Sequence, residues 1–144
     1  MVFRVALLFA LLVGGAGLSA QPNDYAVGQV WAYKTRAADP GSLLKIQKID
    51  TDPTRAQNRV IYHISIIGVR LNDPAVKRDI SHVPVSREAL DDSVTRLVQS
   101  PAGFPDAAEG IAEWKRVKGG VFTITIAKIV DIVEQTMSKM PAGQ

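Results

Sequence analysis

Apolar and polar positions alternate with a period of two along the first half of the chain. They recur at helical spacing along much of the second. Gly28–Arg36 reads Gly-Gln-Val-Trp-Ala-Tyr-Lys-Thr-Arg, an aromatic and β-branched run that predicts a strand. Asp39-Pro40-Gly41 is a turn signal, since Pro presets φ and Gly accepts φ > 0. Leu43–Asp50 then returns as a second strand, and Thr51–Asn58 is a loop. Arg59–Arg70 carries Val60, Ile61, Ile64, Ile66, Ile67 and Val69, apolar on both faces in places, so it belongs in the middle of a sheet. These three strands form an antiparallel meander.

Leu71–Arg78 reads as a loop and Ile80–Val85 as extended, because Pro84 pushes Val83 out of the helical region. Ser86 is placed to cap a helix over Arg87–Val98, with Glu88 in the first turn and Leu90, Val94, Leu97 and Val98 on one face. Ser100–Pro105 is a loop. Asp106 is positioned to cap a second helix to about Val117, with Ala107, Ile111 and Trp114 along one stripe and Lys118-Gly-Gly as its stop. Val121–Thr125 alternates like a strand. A last helix runs from near Ile126 to Met140, turning Ile126, Ile129, Val130, Val133, Met137 and Met140 inward, and the tail 141–144 frays. The fold class is therefore α+β: an antiparallel sheet of about four strands packed on one face by about three helices.

The first residues change the picture of where the protein works. Arg4 precedes an apolar run from Val5 to Val13, then small residues, then Leu18-Ser19-Ala20. That order is a cleavable secretory signal, and the run is too short to span a bilayer, which takes about 20 apolar residues. Residues 1–20 are thus a leader and residues 21–144 one globular domain, periplasmic or secreted, with no transmembrane segment in the mature chain. Cleavage is expected after Ala20, with Ala16 as a second candidate. A short polar arm, Gln21–Asp24, opens the mature chain. Loss of the leader removes only Arg4 among the charged residues and leaves a net charge of about +2. The basic residues are scattered, with only the short pairs Lys77-Arg78 and Lys115-Arg116, so nucleic acid is not an expected partner. The absence of cysteine excludes disulfides, thiolate catalysis and Cys-ligated metal. A chain of this length builds a core without them.

Little in the sequence carries chemistry. His63 and His82 are the only histidines, and with Ser65 or Ser81 they could form a Ser–His arrangement or supply metal ligands. No Gly-x-Ser-x-Gly elbow is present, so the simpler reading makes His63 a core hydrogen-bonding residue and His82 an anchor of its segment. Glu109 and Glu113, four apart on one helix face, could share catalysis or a metal, but read more simply as a solvated face with Glu113 near Arg116. Asp91-Asp92 with Glu88 reads likewise as the acidic first turn of a helix. Trp31, Tyr33 and Trp114 could line a ligand pocket, and read more simply as core, with both tryptophans buried. No catalytic, cofactor-binding or metal role is assigned, and no cofactor is expected. The candidate functional surface is His82, Ser86 and His63, because Ile80–Leu90 is an extended segment stiffened by Pro84 that runs straight into a capped helix.

Five runs, Gly28–Arg36, Ile61–Gly68, Ile80–Val94, Glu109–Trp114 and Val121–Val130, together resemble a family of short exported bacterial proteins that share a domain of unknown function. The resemblance covers nearly the whole mature chain in order, with a shorter segment at Lys118-Gly-Gly. It implies export and an α+β domain, and no activity. Two functions follow from the residues. The first is a small non-catalytic binding or interaction protein of unknown partner, another protein in an inhibitor- or immunity-like role being one candidate. The alternative is a small hydrolase-like or metal-dependent enzyme using His63 and His82.

Overall fold

The computed structural model describes residues 22–54, 59–100 and 102–141; the leader and the start at Gln21 lie outside them. The elements are β1 (Val30–Tyr33), β2 (Leu43–Asp52), β3 (Arg59–Arg70), β4 (Lys77–Val85), α1 (Arg87–Asp91), β5 (Val94–Val98), α2 (Ala108–Arg116) and α3 (Ile126–Ser138). The fold is α+β with five strands rather than about four, in the order β4-β3-β2-β1-β5, every neighbour antiparallel. The meander β1-β2-β3 stands as its alternation predicts. Among the described residues no helix is long and apolar enough to cross a membrane.

The extra strand comes from the region where helical spacing misleads. Ser86 does cap α1, its Oγ accepting from the Ala89 N–H at 3.2 Å, but the helix stops after Asp91. Ser93, wholly buried, donates its hydroxyl to the Ala89 carbonyl at 2.7 Å and accepts the Ile126 N–H at 2.9 Å. One side chain thereby ends α1 and starts α3. Val94–Val98 then pairs with β1, whose outer edge would otherwise leave its backbone groups without partners. Leu97 is exposed, not on a buried helix stripe.

One face of the sheet carries the main core. Leu44, Ile46, Ile64 and Ile66 from the strands meet Leu90 of α1 and Ile126, Ile129 and Val130 of α3, all fully buried. Each such side chain contributes about 1.5–3 kcal/mol by leaving water. Trp31 and Tyr33 belong to this core. Burial pushes the Tyr33 hydroxyl up to about 12, while its bond to Ser42 Oγ at 2.7 Å works against that rise. Met137, in the last turn of α3, and Met140, beyond its end, are exposed, against expectation. Val121–Thr125 is not a strand: only Phe122 bridges, in parallel, to Val85.

The other correction concerns the helices, which do not share a face. α1 and α3 supply residues to the main core, whereas α2 lies over the reverse face above His63 and His82. Asp106 precedes α2 by two residues; its carboxylate accepts the Ala108 N–H at 2.8 Å, while Ala107 occupies the cap itself. A second fixed point joins the β1–β2 turn to α3. Arg36 donates to both oxygens of wholly buried Asp39, at 2.6 and 3.2 Å. It also reaches the Arg70 carbonyl at 2.8 Å, Asp131 at 3.1 Å, and Glu134. Asp39 accepts in addition from the Arg70 N–H at 2.7 Å.

Candidate functional site

The reverse face owes its composition to two irregularities in strand pairing. In β2 the register shifts between Ile46 and Lys48, so that Lys48 faces His63 and Asp50 faces Ile61 across the ladder. Without that bulge, simple alternation would put Asp50 on the core face with Ile46. A second shift, between Ile64 and Ile66 of β3, lies beside His82 on β4. Both bulges flank His63, and together they align three titratable side chains.

Those side chains form a row. His63 Nε2 lies 3.0 Å from Asp50 Oδ2, and His63 Nδ1 lies 2.8 Å from His82 Nε2. The chemistry of the row fixes its proton positions. An ionised carboxylate only accepts, so His63 carries its proton on Nε2 and presents a lone pair at Nδ1. His82 therefore donates from Nε2, and its own lone pair sits on Nδ1. That atom has no hydrogen-bonding partner among the described residues, and no buried side-chain nitrogen or oxygen there lacks one, so Nδ1 reaches solvent.

The electrostatics follow from burial and from the neighbours. His63 is fully buried, which lowers its pKa against the opposing pull of Asp50. Burial likewise brings His82 down to about 4, helped by His63. Partial burial pushes Asp50 up, but Lys48, the bond from His63 and Lys115 outweigh it and hold the carboxyl below its usual range. Lys48 and Lys115 stand 3.6 and 3.5 Å from the Asp50 oxygens.

α2 is held over this row at close range. The Trp114 ring meets His63 edge-on at 5.0 Å and donates its indole N–H to the Gly120 carbonyl at 2.8 Å. Gln47 donates to Ser65 Oγ at 3.0 Å and to the Pro105 carbonyl at 3.1 Å, which ties the entry of α2 to the sheet. Gly110 makes the approach feasible: a Cβ there would lie 2.5 Å from His82 Cβ. Gly110→Ala should therefore destabilise the protein, since overpacking costs about 1–3 kcal/mol and the gain in helix propensity returns only about 1. Denaturant melts read that loss. A variant of unchanged stability whose His82 ring resonances do not move would show that α2 does not press on His82.

Beside the row opens a groove of about 500 Å³. Ile61 and Trp114 supply its apolar surface, and Asp50, Asp52, Lys115 and Lys118 its charged lining. Lys118 adopts φ 51°, the left-handed position just past the end of α2 that glycine usually takes. Gly119 follows because a Cβ there would lie 2.3 Å from the Trp114 ring.

Of the three residues singled out from sequence, His63 and His82 come together and Ser86 does not join them. Ser86 is buried and serves as the cap of α1. Ser65 is turned away from nucleophilic use, donating to the Ser81 carbonyl at 2.7 Å. Trp114 is half-buried on the reverse face rather than in the main core. Glu109 and Glu113 are exposed, with Glu113 paired to Arg116 at 2.6 Å. Among the described residues no three His, Asp or Glu side chains are grouped to hold a metal ion; His63 separates the other two members of the row. Sequence reasoning missed Asp50, Gly110 and the Lys115–Lys118 rim. Only the Asp50 bulge, invisible to alternation, would have exposed the link. Compared with protein-family models, curated proteins and solved structures, the chain matches none.

Proposed function

We propose that the chain is exported and acts as a small non-catalytic binding protein whose ligand enters the reverse-face groove. The observation that carries this reading is the division of labour on that face. His63 is spent on Asp50 and His82, Ser65 on the Ser81 carbonyl and Lys115 on Asp50, whereas Trp114 and Lys118 line open space. A groove of about 500 Å³ suits a small organic molecule or an inserted side chain. Asp50 and Asp52 share the lining and Lys115 is paired with Asp50, so Lys118 beside the aromatic ring is the group suited to a flat apolar ligand bearing an anion. The leader pattern, Arg4 followed by Val5–Val13 and small residues, supports export, as does the resemblance to short exported bacterial proteins.

Titration with benzoate and indoleacetate, followed through the indole N–H resonances, tests the site. The Trp114 signal should shift saturably and the Trp31 signal should not. Lys118→Glu should abolish the shift while the protein stays folded. No saturable shift, or one indifferent to Lys118→Glu, would remove the groove as a ligand site.

One observation favours a second reading, a small hydrolase-like enzyme: the row delivers an oriented lone pair to solvent at His82 Nδ1, the arrangement a general base requires. Hydrolysis of an activated ester by wild type and by His82→Gln separates the two. The binding reading expects equal rates. A rate lost with His82→Gln at unchanged stability would favour the enzyme.

A further inference from the structure

A second surface lies at the far edge of the sheet, away from the groove at Trp114. β4 is the last strand of the sheet, so its outer edge has no strand beyond it. Its C-terminal end is nevertheless covered: Phe122 donates to the Pro84 carbonyl at 3.0 Å and accepts the Ser86 N–H at 2.9 Å. No such cover reaches Lys77–Ser81 among the described residues. Alongside that bare stretch runs a groove of about 550 Å³ between β4 and α3. Leu71, Ile80, Val133 and Met137 form its apolar surface, and Lys77, Arg78 and Asp79 supply its charge.

We propose that this groove takes an extended peptide segment of a partner protein, which adds to β4 as a further strand and presents acidic and apolar residues in alternation. Three features select that occupant. Bare edge N–H and C=O groups are satisfied by another backbone, which a lipid or a small molecule does not supply. Side chains of an added strand point alternately to the two faces, so every second one drops between β4 and α3 onto the apolar surface. The charge is net positive. Lys77 and Arg78 have no carboxylate partner among the described residues and outnumber the one carboxylate in the lining, Asp79, which accepts the Gly68 N–H at 3.2 Å. A helix on one side and an edge strand on the other make the slot in which strand addition is a recurrent mode of peptide recognition.

The probe is an array of short synthetic peptides alternating glutamate with valine or leucine, with two controls: the same peptides N-methylated at alternate amides, and the same peptides with lysine for glutamate. Binding to the protein should shift the amide resonances of Lys77–Ser81 and leave the Trp114 indole untouched. N-methylation on the pairing edge should abolish binding without any change to the protein. The double variant Lys77→Glu with Arg78→Glu, both exposed positions, should weaken binding by about tenfold and favour the lysine peptides instead. Four results would overturn the proposal: no peptide in the array binds, binding survives N-methylation, the shifts map elsewhere, or the protein pairs through β4 with a second copy of itself. None of these touches the groove at Trp114, whose own titration stands or falls separately.

Discussion

Asp39→Ala should cost about 3–5 kcal/mol, the loss typical of breaking a buried ion pair by removing one partner. Asp39 is wholly inaccessible, and its carboxylate accepts from the Arg36 guanidinium twice and from the Arg70 N–H. Truncation leaves that backbone donor without an acceptor. It also leaves Arg36, whose side chain is only 11% exposed, leaning on Asp131 and Glu134 at the surface. The guanidinium now has its pKa raised, chiefly by Asp39 against the opposing effect of burial. Asp131→Ala is the internal control. That carboxylate is half exposed and should be worth no more than about 1 kcal/mol. Denaturant midpoints of the two variants decide the matter. Near-equal losses would mean that the β1–β2 turn and α3 are not joined through Asp39.

Acid should weaken the fold through the row on the reverse face. His82 falls from an ordinary value of 6.5 to about 4 in the folded protein, and His63 is lowered as well. A histidine depressed by folding binds its proton more readily in the unfolded chain. Its destabilising effect is absent above the unfolded pKa and grows as pH drops from about 6.5 towards 4. Asp50 acts in the same direction at lower pH: its depressed carboxyl stabilises the fold while ionised, and that contribution goes as pH falls through the carboxylate range. After solvent screening at half-buried His82, the loss between neutral pH and pH 4 should be on the order of 2 kcal/mol. His82→Gln retains a donor to His63 Nδ1 and should flatten this part of the profile while leaving the carboxylate part. Melts at a series of pH values supply the test. A His82→Gln profile superimposable on wild type between pH 6.5 and 4 would show that His82 does not carry the dependence.

What could be read ahead of the structure depended on whether local pattern and tertiary context agreed. Arg59–Arg70 was legible to the residue because β-branched side chains on both faces of a central strand leave no competing period. Arg87–Val98 was not. Its apolar spacing fits a helix, but buried Ser93 closes α1 with its own hydroxyl, and β1 offers the following residues a sheet edge. Propensity yields to such a partner. His63 and His82 were recognisable as the residues to watch because they are rare. Their acceptor was not, because one extra residue in β2 moves Asp50 to the other face and leaves no mark on the composition. Lys118 was equally silent: glycines beside it suggested the stop, yet the left-handed turn falls on the lysine.

The strand order has a consequence for how the molecule comes into being. β4 and β5 occupy opposite edges of the sheet, although only α1 and a few residues separate them in the chain. β1 through β4 are joined neighbour to neighbour, each connection closing a short loop. The free edge of β1 is paired only after the chain crosses the whole sheet to Val94–Val98. A chain that lacks Val94–Val98 leaves a bare Val-Trp-Ala-Tyr edge, the kind of strand that pairs with the wrong neighbour. The pairing of β5 with β1 removes this hazard.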